Sequence, residues 1–498
     1  MKHLHVFILL LAGTVTACYE DKGHYDYSPV LEVDLVSPIR DTAITRGQHL
    51  TIVPDLKLFE LDSDKEGSSL NPDEYTYEWK AYRKNINDMS PVLLATTRDL
   101  DTTVYLSTQT EPYRVIYSVT RKSTGVTRGF RFNLSVTSRF SSAWLYLTEE
   151  DDGSVELIVR GTEVATNETV LEKGVLERSG FPYRGGGAKF VYWYSNFSRI
   201  IIGTGEATGY IDRVNFEWND TKLVRYMMSM PQPVDYTFEK VILTSAMHWI
   251  DSRGNILAMI PSIGVISPPY NILPPSVTGT SVYDTVQVAP FVAGVTNSST
   301  GQLVYDTKNK KMMAYKGMQS ALKANLEAIS FANQLPNHRI FHMQTYTGSL
   351  SAVIAQNLDN GKYYRYVYSA VTLQANPEEI LNGQLLEQAD YMECDYLNGF
   401  FYMASGNKIF AFRTNNNGTG ELREVTVSDA PGAFDEITYM GRYTSIESTR
   451  EMIMIATYAG TEGSGKVFYL KPDPTEPLSM SVETTISGLD RVKSISRF

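Results

Sequence analysis

The sequence predicts an all-β chain of two modules, and three observations carry that prediction. Apolar residues alternate at period two in short runs bounded by Gly, Asn, Asp and Pro, the pattern of half-buried strands. Hairpin-like pairs of such runs recur through the C-terminal two-thirds. Helical character is confined to one stretch, Ser320 to Ile329, where Ala321, Leu322, Ala324, Leu326 and Ala328 suggest a helix within an inter-strand excursion. In 498 residues, 43% hydrophobic and 20% charged, there is apolar material for more than one core. Tyrosine is abundant, 32 residues against 20 Phe and 5 Trp; it suits strands and offers amphipathic contact surface.

Residues 31–137 read as about seven strands with turn punctuation. Leu31-Glu32-Val33-Asp34-Leu35 alternates cleanly, Thr51-Ile52-Val53-Pro54 and Lys57-Leu58-Phe59-Glu60-Leu61 follow, and the polar loop Asp62 to Asp73 comes next. In Tyr75-Thr76-Tyr77-Glu78-Trp79-Lys80-Ala81-Tyr82, the residues Tyr75, Tyr77, Trp79 and Ala81 share one face. Tyr113 to Val119 and Phe130 to Val136 complete the set. Strand number and spacing fit an immunoglobulin-like β-sandwich, with Trp79 buried between its sheets.

From Ser138 to Phe498 the texture becomes a loose repeat of strand, Gly/Asn/Asp turn, strand. Ala143 to Leu147 and Val155 to Val159 flank Asp151-Asp152-Gly153. Arg199 to Gly203 leads through a glycine turn to Gly209-Tyr210-Ile211-Asp212, and Trp249 to Leu257 repeats the form. So do Gly301 to Tyr315, Ser351 to Tyr366, Phe400 to Phe412 and Glu451 to Leu470. Serial hairpins with almost no helix predict a β-propeller. Seven units give about 52 residues each, just above the usual range of about 40–50, and eight units are the alternative. Arg491 to Phe498 is expected to close the ring against the first unit, removing an exposed edge.

The chain begins with Met1-Lys2-His3, an apolar run from Leu4 to Leu11, and Val15-Thr16-Ala17 before Cys18. A basic start, an apolar stretch and a small-residue cleavage site make a secretory signal peptide at 1–17. A cysteine directly after that site resembles a lipobox, so Cys18 is expected to be lipidated and to begin a tether over 18–30. Tyr19-Glu20-Asp21-Lys22 places two carboxylates behind the anchor, which resembles the acidic export signal of surface lipoproteins in Bacteroidota. With Gly23-His24-Tyr25-Asp26-Tyr27, the Tyr77-Glu78-Trp79 strand and the Ala143-Trp144-Leu145-Tyr146-Leu147 opening, the chain resembles the PKD-like domain lipoproteins of Bacteroidota over its whole length. The resemblance implies an outer-membrane protein facing the cell exterior, made alongside a Sus-type importer (a TonB-dependent barrel with its lipoprotein lid). It supplies no catalytic residue.

The net charge of −11 argues against nucleic acid as a partner, because neutralising phosphates takes clustered Lys and Arg. Only Cys18 and Cys394 are present, so no disulfide framework forms, and Cys394 reads as a small core residue rather than a catalytic thiol.

Four constellations could carry chemistry. Asp62, Asp64, Glu66 and Asp73 with Gly67 have the spacing of a calcium loop, but Asp replaces the long bidentate Glu and Lys65 intrudes, so a solvated loop is the competing reading. Glu149-Glu150-Asp151-Asp152-Gly153 reads as a hairpin turn, since consecutive carboxylates do not converge on one ion. His338 and His342 fall on one face of an extended segment, with no third ligand to complete a metal site. Gly203-Thr204-Gly205-Glu206-Ala207-Thr208-Gly209 lacks the Lys-Ser/Thr ending of a phosphate loop. The Pro-rich excursion Pro261 to Pro275, with Tyr270 and nearby Tyr283, is the first candidate for ligand or partner contact.

No cofactor is expected, calcium being the alternative. The leading function is a non-catalytic surface lipoprotein that binds a glycan or peptide nutrient, or an importer component. The alternative is a propeller hydrolase or lyase acting on polysaccharide or peptide, which would need two convergent carboxylates.

Overall fold

The computed structural model describes residues 31–498, except 61–66, 84–89, 109–110, 165, 215, 231, 234, 244–246, 261–263, 270–285, 295–301, 317–324, 348–349, 396–398, 414–417, 431, 445–450 and 477. The chain divides into two compact units, Met1–Thr137 and Ser138–Phe498.

The first unit is a β-sandwich. Its larger sheet runs in the order Thr42–Thr45, Thr127–Thr137, Tyr113–Arg121, Tyr75–Tyr82, Val92–Ala95. Facing it are the sheet of Leu31–Leu35, Leu56–Glu60 and Ser68–Ser69 and the pair His49–Ile52 with Leu100–Thr103. The alternation in Tyr75–Tyr82 puts Trp79 at 0% exposure, among Tyr117, Val115 and Leu134 on its own sheet and Val33, Leu50 and Leu56 opposite. Its ring stacks on Tyr117 at 4.0 Å between centroids, and its Nε1–H donates to the Thr97 carbonyl at 3.0 Å. Tyr113, at the start of its strand, donates its hydroxyl back to the Ser107 carbonyl at 2.7 Å, pinning the corner of the sandwich as such tyrosines do. The four-residue strands Thr42–Thr45, Val92–Ala95 and Leu100–Thr103 were not expected; they are too short to show a period.

In the second unit the described residues form seven consecutive sheets, antiparallel but for one parallel edge pair in each of the fifth and the seventh. The first holds Phe140–Glu149, Val155–Glu163 and Thr169–Glu172; the second Ala188–Tyr194, Arg199–Thr204 and Thr208–Asp212. The third holds Phe238–Leu243, Met247–Asp251, Ile256–Ile260 and Val265–Ile266; the fourth Gln302–Asp306, Lys311–Lys316 and Asn325–Ala328. The fifth is built on His338–Thr347, Leu350–Asn357 and Tyr363–Ser369, the sixth on Tyr391–Cys394, Phe401–Ser405 and Lys408–Phe412. The seventh contains Glu436–Thr444, Glu451–Tyr458, Gly465–Pro472 and Ser479–Leu489.

Each sheet packs on the next. Ile200 and Ile202 join Leu145 and Leu157 between the first and second sheets, while Ile201, one residue out of phase, joins Trp249 and Leu257 between the second and third. This is why middle strands are apolar on both faces: both faces are covered. Val304 and Ile256 fill the third gap, Leu303 and Val353 the fourth, Ile354 and Phe401 the fifth, and Tyr402 and Ile455 the sixth. The series closes on itself, because Tyr146 and Ile158 of the first sheet pack with Met454 and Val467 of the seventh. Arg491–Arg497 seals the seam by pairing antiparallel with Phe140–Glu149, from Trp144 opposite Arg497 to Glu149 opposite Arg491, as expected from the sequence. The unit is a β-propeller-like ring.

The expected helix at Ser320 to Ile329 is corrected. Of its described residues, Asn325–Ala328 form a strand paired with Lys316 to Met313. Leu326 reaches the core shared with the third sheet, so completing the fourth sheet outweighs a short run of helix-favouring residues.

Candidate functional site

The innermost segment of each sheet has no strand on its central side, so its backbone groups need other partners. Side chains supply them from one sheet to the next. Ser494 and Ser496 Oγ accept from Val191 and Trp193 N–H, both at 3.0 Å, and Thr208 Oγ1 accepts from Phe238 N–H at 3.2 Å. Gly294 N–H donates to Thr345 Oγ1 at 3.1 Å, and Cys394 N–H donates to Gln344 Oε1 at 2.8 Å. Thr438 Oγ1 donates to the Val492 carbonyl at 2.8 Å. The inner strands thus form a laced wall around a central opening.

A polar cluster collects on that wall. Gln344 is its hub: Oε1 also lies 3.2 Å from His342 Nε2, and Nε2 donates to Glu393 Oε2 at 2.6 Å. An amide oxygen only accepts, so neutral His342 donates from Nε2 and keeps Nδ1 as an acceptor. Burial pushes the Glu393 carboxyl above the usual carboxylate range, while Arg442, the Gln344 bond and Lys240 pull it back. Burial drives His342 down to about 4, Lys240 adds to the shift, and the Gln344 bond opposes it. Lys240 keeps contact with solvent but is ringed by protein, which lowers its ammonium against the pull of Glu393. It lies on the third sheet, yet its charge acts on His342 of the fifth and Glu393 of the sixth. Tyr439, on the seventh, is raised by burial, then by Glu393 and Tyr391.

Such an arrangement offers donors, one acceptor imidazole and charges of both signs to a polar guest. Around Glu393 gather the Gln344 amide, the Arg442 guanidinium and the Lys240 ammonium.

Of the residues singled out from sequence, Cys18, Asp62, Asp64, Glu66, Tyr270 and Tyr283 lie outside the described residues. Asp73 sits in the 3-10 turn Pro72–Glu74, its N–H on Asn71 Oδ1 and its carbonyl accepting from Lys122 Nζ at 2.7 Å. Among the described residues no group of three His, Cys, Asp or Glu could hold a metal. His338 and His342 are not brought together as the even spacing implied. A bulge between Ile340 and His342 breaks the alternation, and His338 is held instead by the Pro336 carbonyl and the Tyr366 hydroxyl. Glu149-Glu150-Asp151-Asp152-Gly153 is a turn, with Glu149 Oε2 accepting from Ala188 N–H and Asp152 Oδ1 from Ser154 N–H, both at 2.8 Å. The Gly203 to Gly209 segment is a hairpin turn held by Thr204 Oγ1, which accepts from Ala207 N–H at 3.2 Å. Cys394 is buried in the core and its thiol is pushed up to about 12 by burial.

Lys240, Gln344, Glu393, Tyr439 and Arg442 escaped the sequence reading. Their signal was a charged or amide side chain inside the first strand of a hairpin series, as in Phe238-Glu239-Lys240-Val241 and Met392-Glu393-Cys394.

Among the described residues no helix is long and apolar enough to cross a membrane. Comparison with curated proteins finds no match. Among solved structures, a quinonprotein alcohol dehydrogenase-like protein from Bacteroides thetaiotaomicron is similar over 93% of this chain and 99% of that one, at 10% identity and a TM-score of 0.42. The dihydro-heme d1 dehydrogenase NirN is similar over 79% of this chain and 74% of its own, at 8% identity and a TM-score of 0.37. The WD40 domain of SCAP from fission yeast covers 55% of this chain and 60% of its own, at 9% identity and a TM-score of 0.32. A family match covers both the sandwich around Trp79 and the first strands of the ring: residues 18–179 match the model of the PKD-like family.

Proposed function

We propose that the protein is a lipid-anchored binding protein of the outer cell surface, which holds a glycan or peptide nutrient, or a component of a Sus-type importer, without turning it over. The observation that carries this reading is the polar cluster of Lys240, His342, Gln344, Glu393 and Arg442 on the inner strands. Desolvating charged and amide groups is costly, and the ring already has its apolar cores, so these groups serve recognition rather than packing. The Cys18 lipobox, the acidic residues behind it and the resemblance to surface lipoproteins support the address. Tethering beside an importer would raise the effective concentration enough for individually weak contacts to suffice.

The test has two arms. Cys18→Ala is expected to release the protein from the outer-membrane pellet; persistence there refutes the anchor. Purified protein is incubated with pooled oligosaccharides and peptides, and both binding and product release are followed. Binding weakened by about 10–100-fold in Arg442→Met supports the reading, as expected when a charge-assisted contact is lost. Sustained turnover abolished by Glu393→Gln overturns it in favour of an enzyme.

A further inference from the structure

A second feature of the ring lies apart from its central opening. A cleft of 460 Å³ opens between the hairpin turn of the fourth sheet and the start of the fifth, lined in part by Lys310, Lys311, Phe331, Gln334, His338 and Leu358. Its volume falls within the roughly 300–1,000 Å³ of small-ligand sites. Phe331 is 85% exposed and Leu358 55% exposed, although large apolar side chains are ordinarily covered.

Phe331 is not on a loose loop. It begins the 3-10 turn Phe331–Asn333, where Asn333 N–H donates to the Ser330 carbonyl at 2.9 Å and Asn333 Nδ2 to Ser330 Oγ at 2.9 Å. Tyr368 donates its hydroxyl to the Asn333 carbonyl at 2.8 Å, and Leu373 N–H donates to Asn333 Oδ1 at 3.2 Å. The wall beside it is equally fixed: Gln334 accepts from Met312 N–H and donates to the Met312 carbonyl, both at 2.8 Å, and donates to the Ile329 carbonyl at 3.1 Å. The backbone that carries the aromatic ring is therefore fixed, which lessens the ordering left for a ligand to impose.

The charge beside it is positive in a chain of net charge −11. Lys310 and Lys311 are both exposed. Lys310 has the left-handed φ of 52° at the end of the turn, and Lys311 opens the following strand, so the two ammonium groups leave the backbone in different directions. The neighbouring carboxylates are already engaged. Asp306 accepts from Lys308 N–H at 3.0 Å and Asn309 Nδ2 at 2.6 Å, and Asp359 accepts from Asn337 Nδ2 at 3.1 Å.

We propose that this cleft binds an acidic oligosaccharide, with a uronic acid ring lying its C–H face on Phe331 and carboxylates of successive sugars meeting Lys310 and Lys311. Two diverging cations suit charge repeated along a polymer better than a single anionic group. Amides already bonded within the wall leave stacking and charge as the means of recognition.

The test is a calorimetric titration of the full-length protein with oligogalacturonates of three to six sugars, with neutral oligogalactosides of equal length and with oligoglutamate peptides. The oligogalacturonates are expected to bind, with affinity falling as salt is raised. Phe331→Ala is expected to weaken binding by about tenfold, and the double variant Lys310→Gln/Lys311→Gln to remove its salt dependence. Both sites are exposed, so an unchanged melting temperature certifies the fold. Equal binding of neutral sugars, equal or tighter binding of oligoglutamate, indifference to Phe331→Ala, or no binding by the oligogalacturonates each overturns the proposal. Loss of the signal in Phe331→Ala is what separates binding at this cleft from binding at the central opening.

Discussion

Replacing Trp79 with Ala should remove a large share of the stability of the first unit. The side chain has 0% exposure, stacks on Tyr117 at 4.0 Å and meets Phe132 edge-on at 6.4 Å. Deleting a buried aromatic costs about 3–5 kcal/mol in lost transfer energy and residual cavity. The Thr97 carbonyl would also lose the indole N–H that it accepts at 3.0 Å, adding about 1 kcal/mol. Aromatic pairing overlaps with the cavity cost and is not counted again, which leaves roughly 4–6 kcal/mol. A domain of this size has about 5–15 kcal/mol in all. Trp79→Phe keeps the stack and loses the hydrogen bond, so it should cost only about 1–2 kcal/mol. The assay is urea unfolding of the 24–137 fragment, because two units in one chain need not unfold in a single step. Trp79 is the one tryptophan in that fragment, so unfolding is followed by far-ultraviolet circular dichroism. With a urea slope of about 1–3 kcal/mol per molar, Trp79→Ala should lower the midpoint by about 1.3 M or more, or abolish the transition. A midpoint equal to wild type would refute the sandwich core as described.

His248 and His342 are both pushed down to about 4 by burial, so the unfolded chain takes up protons on them at a higher pH than the native one does. Their contribution is complete above pH 6.5 and is lost as the pH falls towards 4; Glu393, raised in the native state, acts in the opposite sense. The urea midpoint of the ring should therefore depend less on pH over that window in His342→Gln than in wild type, and identical slopes would contradict the assignment. Arg365 is 2% exposed, pairs with Glu378 and donates to the Gly399 carbonyl at 2.6 Å. Arg365→Met should cost about 3–5 kcal/mol by stranding those partners. In a double-mutant cycle by chemical denaturation, adding Glu378→Gln should recover part of that loss, and strict additivity would argue against the pair.

Where local pattern alone determines structure, the sequence was readable. Arg199 to Gly203 was legible as a strand and Trp79 as a buried residue from period-two alternation; that Ile200-Ile201-Ile202 is covered on both faces is what the structure adds. The ring was legible from the recurrence of hairpins. Asn325–Ala328 was misread as part of a helix over Ser320 to Ile329 because its residues favour helix locally, and only the neighbouring strand decides otherwise. His338 and His342 were misaligned by a bulge that no residue type announces. The central cluster was invisible for a different reason. Lys240, Gln344, Glu393 and Arg442 are spread over some two hundred residues and meet only because successive sheets turn about one axis, a convergence that no spacing along the chain records.

The seam between Arg491–Arg497 and Phe140–Glu149 also sets an order of events. Every other strand of the first sheet finds its neighbour within a short turn, but this partner arrives after about 350 intervening residues. Closing a loop of that length costs roughly 3 kcal/mol more than closing a ten-residue one. During synthesis, six sheets can pack in succession while the edge of Phe140–Glu149 waits unpaired. That edge is the place where a half-made ring is most open to proteases and to strands of other chains. The final pairing is thus a quality checkpoint: a molecule cut short before Arg491 would keep nearly all of its cores and still carry an adhesive edge.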